Sequence, residues 1–600
     1  MKKYKITSSG CLAQAGFWAV AFVALFVYLQ KIGVYHFYYA EQEQLFLFDG
    51  DYVASLISEP GGVARLVAEF LIQFFVFKYV GALISSLLLI AIGVVTAGVL
   101  KKICCSQRLT PLSILPVITL LYLHFDINYY YSGTVAYLMM ALCLNGYFSL
   151  RNSFKIRFLY AIAVSVCLYI AAGPVALLFA VCVFVYELLT CFKKAYFALL
   201  TVLAVTVLGW LGVYFTFTEN CKMAFLPDIY FIAKLPPPAT IYYSWACMVL
   251  LVVAACLFRR INAVSMMQKV ILYGFQAVCA VVLMVYAVKQ NIQPRTDFFK
   301  ELNSYMQHEQ WDEITAGCRG ELKNYLYISC LNVALAEKNE LGDRLFAYDQ
   351  RGVQGIMLPM SIGKAAHALL LMSDVYFSMG HIALAQRMAF EANISALGVG
   401  KPHSLKRLIR TNLIFGNYSV AEKYISWMEH TLFYKSWAAT QRRFLYNDAA
   451  VNADPLLGMK RRCIPSANTL SELYGITNDL LIIAEQNPQH TATIQYAGAL
   501  CLLAKMIPDF KTLIEKYYGT PVLPVLPRSF QEAVIIIAEQ DIDYWKRFDI
   551  QEDIINRYSQ FRNSVMANRN NPNALPSLLK RSFGDTYWYY YMFASNSINK

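Results

Sequence analysis

Within residues 36–78, HFYYAEQEQLFLFDGDYVASLISEPGGVARLVAEFLIQFFVFK, five carboxylates, Glu41, Glu43, Asp49, Asp51 and Glu59, crowd into positions 41–59 soon after the first long apolar run. Carboxylates beside a membrane boundary suit general-base work: one deprotonates an acceptor hydroxyl while a nearby cation balances a departing phosphate. Glu41 or Glu43 fits the first role, and Asp126, in the next polar loop, joins them as a catalytic candidate. Arg65 fits the second. A helix opening at Pro60-Gly61-Gly62 sets its guanidinium beside the free N–H groups of a first turn, a suitable place for a lipid phosphate. His36, His124 and Asp126 would add a divalent metal ion if their two loops meet. Each residue also has a plainer reading. Glu41 and Glu43 serve equally as solvated loop acids, Arg65 as a snorkelling side chain paired with Glu69, and the two histidines as interfacial residues.

The elements that would position these groups follow from hydropathy. Arg65, Glu69 and Gln73 recur at i, i+4 and i+8, one polar stripe on an apolar cylinder, which predicts a helix lying in the interface or lining a groove. The 600 residues are 58% hydrophobic with mean hydropathy +0.43, too apolar for a wholly soluble chain, and the excess lies before about residue 289. Nine spans are predicted, at 12–34, 80–100, 112–123, 134–150, 158–172, 175–189, 195–217, 242–258 and 270–288. The first is read as uncleaved, because it is longer than a signal-peptide core. Cys11 precedes it and so does not resemble a lipoprotein cysteine.

Lys2, Lys3, Lys5, Lys101, Lys102, Arg108, Arg151, Lys155, Arg157, Lys193, Lys194, Arg259, Arg260 and Lys269 then share one side. Only Lys31, Arg65, Lys78, Lys222 and Lys234 fall on the other. The positive-inside rule makes the N-terminus cytoplasmic, and nine crossings send residues 290–600 to the periplasmic side of a bacterial inner membrane. The polar outer loops are 36–78, 124–131 and 218–241, the last with Glu219 and Asp228. The asymmetry accounts for most of the net charge of +13, so no nucleic-acid partner is implied.

After residue 290 the chain reads as amphipathic helices with short connectors, making the whole protein all-α: a transmembrane bundle at 1–289, a helical-repeat domain at 290–519 and a C-terminal helical cap at 520–600. In LLLMSDVYFSMGHIALAQRMAFEAN, Tyr376, Gly380, Ala385 and Ala392 stand at the spacing of a tetratricopeptide motif. Gly416 and Ala421 repeat the Gly-to-Ala spacing about one unit later. Such repeats present a concave face to a partner or cover the membrane domain. The 15 cysteines show no metal-like pairing; Cys318, Cys330, Cys463 and Cys501 are readable either as a disulfide or as buried thiols. HExxH and GxSxG are absent, and Gly398 to Lys401 fails as a phosphate loop because Pro402 follows the lysine. Ionisable residues within spans are scarce, which disfavours an ion relay.

A cytoplasmic N-terminus, acidic residues just after span one, an interfacial helix in that first outer loop and many further spans resemble the GT-C-type glycosyltransferases. Those membrane enzymes take a sugar from a polyprenyl-phosphate carrier. A membrane half followed by tetratricopeptide-like repeats resembles the transmembrane O-mannosyltransferases that carry such repeats, and the two-part build is also similar to uncharacterised bacterial membrane proteins. Here the acidic signature would be Glu41-Gln42-Glu43. The resemblance implies a transferase acting on cell-envelope glycans, with a polyprenyl-phosphate sugar donor, membrane lipid contact and Arg65, Gly61 and Gly62 at the lipid phosphate. The competing expectation is a non-catalytic scaffold whose repeat face recruits an envelope protein.

Overall fold

The computed structural model describes residues 8–104, 108–150, 154–215, 217–218, 221–232, 235–259, 266–291, 293–359, 365–396, 398–466 and 475–594. Lys2, Lys3, Lys5, Arg151, Glu219, Lys234 and Arg260 lie outside them. Among the described residues the chain is helical, and backbone pairing is confined to isolated bridges. It divides into two compact units, Met1–Asp297 and Phe298–Lys600.

The first unit contains α1 (Ser8–Ile32), α2 (Val34–Glu43), α3 (Gly50–Ser58), α4 (Gly62–Ile72), α5 (Val80–Cys104), α6 (Ile114–His124), α7 (Ser132–Ser149), α8 (Phe154–Ala172), α9 (Val175–Thr190), α10 (Phe192–Tyr214), α11 (Cys221–Phe225), α12 (Tyr243–Phe258) and α13 (Met266–Asn291). Among the described residues six segments are long and apolar enough to cross a membrane: Gln14–Ile32, Val80–Cys104, Phe154–Ala172, Lys194–Tyr214, Ala239–Phe258 and Val270–Gln290. The other three predicted spans fall on α6, α7 and α9, with 11, 18 and 16 residues. At 1.5 Å per residue they reach only about 17, 27 and 24 Å, short of a ~30 Å hydrocarbon core. Their composition follows from their place in the bundle. Ala136, Met140 and Leu144 of α7 and Ala176, Phe179 and Cys182 of α9 are wholly buried, so packing between helices governs them more than lipid.

Close approach sets two glycines. A Cβ at Gly93 would stand 2.3 Å from the Trp18 ring, which seats α1 on α5. Gly61, at φ +87°, turns the chain into α4 and donates its N–H to the Ile170 carbonyl of α8 at 2.9 Å.

α7 has two distinct ends. Near its C-terminus the Lys102 ammonium at the close of α5 donates to Asn145 Oδ1 at 2.7 Å and to Ser149. Close by in sequence, Tyr147 donates to Glu187 of α9 at 2.7 Å, and the same carboxylate pairs with Arg157 of α8. Arg259, just after α12, reaches the Tyr186 hydroxyl at 3.1 Å. At the N-terminus of α7, Thr134 meets His124 and Tyr129.

In the second unit the predicted motif forms two helical hairpins, Ala366–Met379 with Ile382–Ile394 and Pro402–Phe415 with Tyr418–Glu429. Gly380 and Gly416, both left-handed, end the first helix of each, and Ala385, Ala392 and Ala421 are wholly buried where the helices meet. Thr491–Leu503, among the most buried helices here, packs against Tyr325–Glu337 and Ala366–Met379. Cys318, Cys330, Cys463 and Cys501 are buried free thiols.

Candidate functional site

Gly33 breaks the first helix: a Cβ there would lie 2.7 Å from the Leu29 carbonyl, and α2 departs after it. Phe37 then wedges against Gly81 and Phe75, which fixes the face of α2 that carries His36, Tyr39 and Glu43. The second contributing segment is the turn after α6. Asp126 Oδ1 accepts the Asn128 N–H at 2.9 Å, and Tyr130 and Ile232 exchange backbone bonds with Tyr230 and Asn128, which ties residues 128–130 to 230–232.

These segments close a cavity of about 30 Å³ lined by His36, Glu43, His124 and Asp126 together with Tyr39 and Tyr129–Tyr131. Four of the sequence candidates therefore converge from separate stretches of chain. The space holds about one water and no sugar. Its phenols are held neutral: burial and then the Glu43 carboxylate push Tyr39 upward, and burial followed by Glu43 does the same to Tyr130. His124 commits Nε2 to Thr134 Oγ1 at 2.8 Å. Among the described residues no three His, Cys, Asp or Glu side chains form a group able to hold a metal, so the His36, His124 and Asp126 set does not fit a divalent ion.

Glu41 does not line this cavity. It is buried and accepts from Gln42 at 2.6 Å. Arg65, Gly61 and Gly62 do not line it either. Arg65 Nε donates to Glu69 at 2.8 Å and Nη1 to Glu59 at 3.4 Å, while Tyr52 donates to the other oxygen of Glu69. The guanidinium is thus held between two carboxylates. The Gly61 and Gly62 amides are engaged as well, with Ile170 and Glu59. The stripe of Arg65, Glu69 and Gln73 faces inward in part, since Glu69 and Gln73 are buried.

A larger feature lies in the second unit and was missed by sequence reasoning. A cleft of about 630 Å³ opens between residues 320–325, 346–352 and the last two helices, Leu575–Phe583 and Tyr587–Phe593. Phe346 and Tyr590 build its floor, Phe346 packing at a tilt against Tyr590 and against Tyr587 beneath, and Tyr589 donates to the Pro576 carbonyl at 2.9 Å to hold the two helices together. Arg351 is clamped by Glu321 at 3.0 Å and Asp349 at 3.3 Å. The aromatic run YWYYYMF was its one local signal, since the opposite wall lies more than two hundred residues away in sequence.

A family model matches residues 11–594, taking in both units. The chain belongs to that family, a family of unknown function (DUF6057). No curated protein and no solved structure matches it.

Proposed function

We propose that this DUF6057 protein is a membrane-anchored binding scaffold of the bacterial cell envelope, in which the apolar unit holds a tetratricopeptide-like unit on the periplasmic side. The observation that carries this reading is the contrast between the cleft of about 630 Å³ in the second unit and the much smaller cavity of about 30 Å³ among the acidic candidates. The cleft supplies ligand-sized space within the second unit. What supports nine crossings is the sorting of polar groups along α7: Lys102 bonds near its C-terminus, while His124 and Tyr129 meet its N-terminus. That sorting suits α5, α6 and α7 traversing in alternation, the short α6 and α7 doing so inside the bundle, where neighbouring helices and not lipid surround them.

The second reading is a GT-C-like transferase with Glu43 as base. It is favoured by the convergence of His36, Glu43, His124 and Asp126 on one cavity, which would have to open to admit a polyprenyl-phosphate sugar. Complementation of a deletion strain separates the two. On the scaffold reading, Glu41→Gln with Glu43→Gln restores the envelope-glycan profile and a chain lacking residues 298–600 does not. The opposite pattern overturns it in favour of the transferase.

A further inference from the structure

We infer that the cleft of the second unit binds an acidic oligosaccharide, with Tyr325, Tyr348, Tyr589 and Phe593 as stacking faces and Lys580 as the cation that reads the sugar acid. The inference rests on the scaffold reading and names its ligand. Size comes first: about 630 Å³ lies in the range of preformed small-molecule sites. The four rings are partly exposed, unlike Phe346 and Tyr590 beneath them; the Arg344 guanidinium lies over one face of Tyr348, 5.4 Å from the ring centroid, and Tyr589 tilts against Phe593 at 5.0 Å. A pyranose presents rows of C–H bonds whose weakly positive hydrogens fit the negative face of an aromatic ring.

Charge decides between a neutral and an acidic sugar. Glu321 and Asp349 share Arg351, and Asp585 accepts from Arg557 at 2.6 Å, so each lining carboxylate already has a cationic partner. Lys580 is exposed on the opposite wall, and its ammonium has no ion pair or hydrogen bond among the described residues. An entering carboxylate or sulfate would meet an unneutralised ammonium. The clamped carboxylates keep lone pairs for sugar hydroxyls, and the Tyr325 hydroxyl, also without a partner among the described residues, adds a donor. An extended peptide would need a strand edge, and near the cleft backbone pairing is limited to the isolated Arg351–Val353 bridge.

The test is calorimetric titration of the full chain in detergent micelles with tetragalacturonate, maltotetraose and an acidic tyrosine-containing tetrapeptide. Tetragalacturonate is expected to bind saturably and more tightly than the other two. Lys580→Gln weakens it about ten-fold and leaves maltotetraose unchanged, while Tyr348→Leu weakens both sugars. Saturation-transfer NMR on the unaltered protein, with tetragalacturonate ring protons as the readout, needs no variant to fold. Absence of saturable sugar binding, tighter binding of the peptide, or equal affinity in Lys580→Gln overturns the inference. A sugar-binding chain whose residues 298–600 are dispensable for the glycan profile would instead overturn the scaffold reading alone.

Discussion

Glu532 offers a quantitative test of how the cleft wall is held. It is 1% exposed on the helix Arg528–Ile537, its Oε2 accepts the Tyr587 N–H at 2.7 Å and Arg528 donates to Oε1 at 3.3 Å. One carboxylate therefore anchors the first amide of the last helix. Burial raises its pKa from 4.5 to about 7, Asp585 adds to the rise, and the Tyr587 N–H, Arg528 and Arg557 oppose it. The folded state thus holds a proton that the unfolded chain releases near pH 4.5, and stability falls as pH rises from about 4.5 through 7. The raised pKa corresponds to about 3.4 kcal/mol at most, of which about 2.5 kcal/mol is lost between pH 5 and pH 8. Glu532→Gln keeps the acceptor and the shape without the charge, so its stability should be flat across that range. Hydrogen–deuterium exchange of residues 587–593 in the full chain, corrected for intrinsic rates, reads this directly. Wild-type protection is expected to drop about 70-fold from pH 5 to pH 8. Protection that is flat or rises with pH in the wild type, or a Gln variant that loses the helix at every pH, refutes the reasoning.

Arg157→Ala strands the buried Glu187 carboxylate and should cost about 3–5 kcal/mol in detergent unfolding, most of it recovered by Arg157→Met with Glu187→Leu. Gly498→Ala puts a Cβ 2.0 Å from the Phe530 ring; thermal unfolding of the second unit should show a loss of about 1–3 kcal/mol, relieved by Phe530→Leu. Lys460→Met removes the donor to the Phe377 carbonyl at 2.7 Å and to Ser378, a loss of about 1–3 kcal/mol by urea titration at neutral pH. Burial lowers the Lys460 pKa from 10.5 to about 8, so the wild type gains stability as pH rises across that interval and the Met variant loses the slope.

What the sequence disclosed and what it hid divide by range. Period and hydropathy are local, so the apolar helices and the helix-ending glycines Gly380 and Gly416 were legible. Span length was legible only where lipid dictates composition. α6, α7 and α9 carry apolar runs suited to burial among neighbours, and hydropathy does not separate those from crossings. The spacing of Arg65 and Glu69 announced their pairing, but not Tyr52, which closes on Glu69 from 17 residues away. The cleft was illegible, and the cavity was legible only as the condition that the two outer loops meet, because each joins segments with no periodic relation: 36–44 with 124–131 and Ile232, and 320–352 with 576–594.

The scaffold account depends on which side of the membrane the cleft faces. Crossing by only the six long apolar segments would return the second unit to the side of the N-terminus, whereas nine crossings place it opposite. Alkaline phosphatase and green fluorescent protein fused in turn after Lys600 measure this directly. The account predicts an active phosphatase and a dark fluorescent protein; a bright fluorescent protein with inactive phosphatase would contradict it.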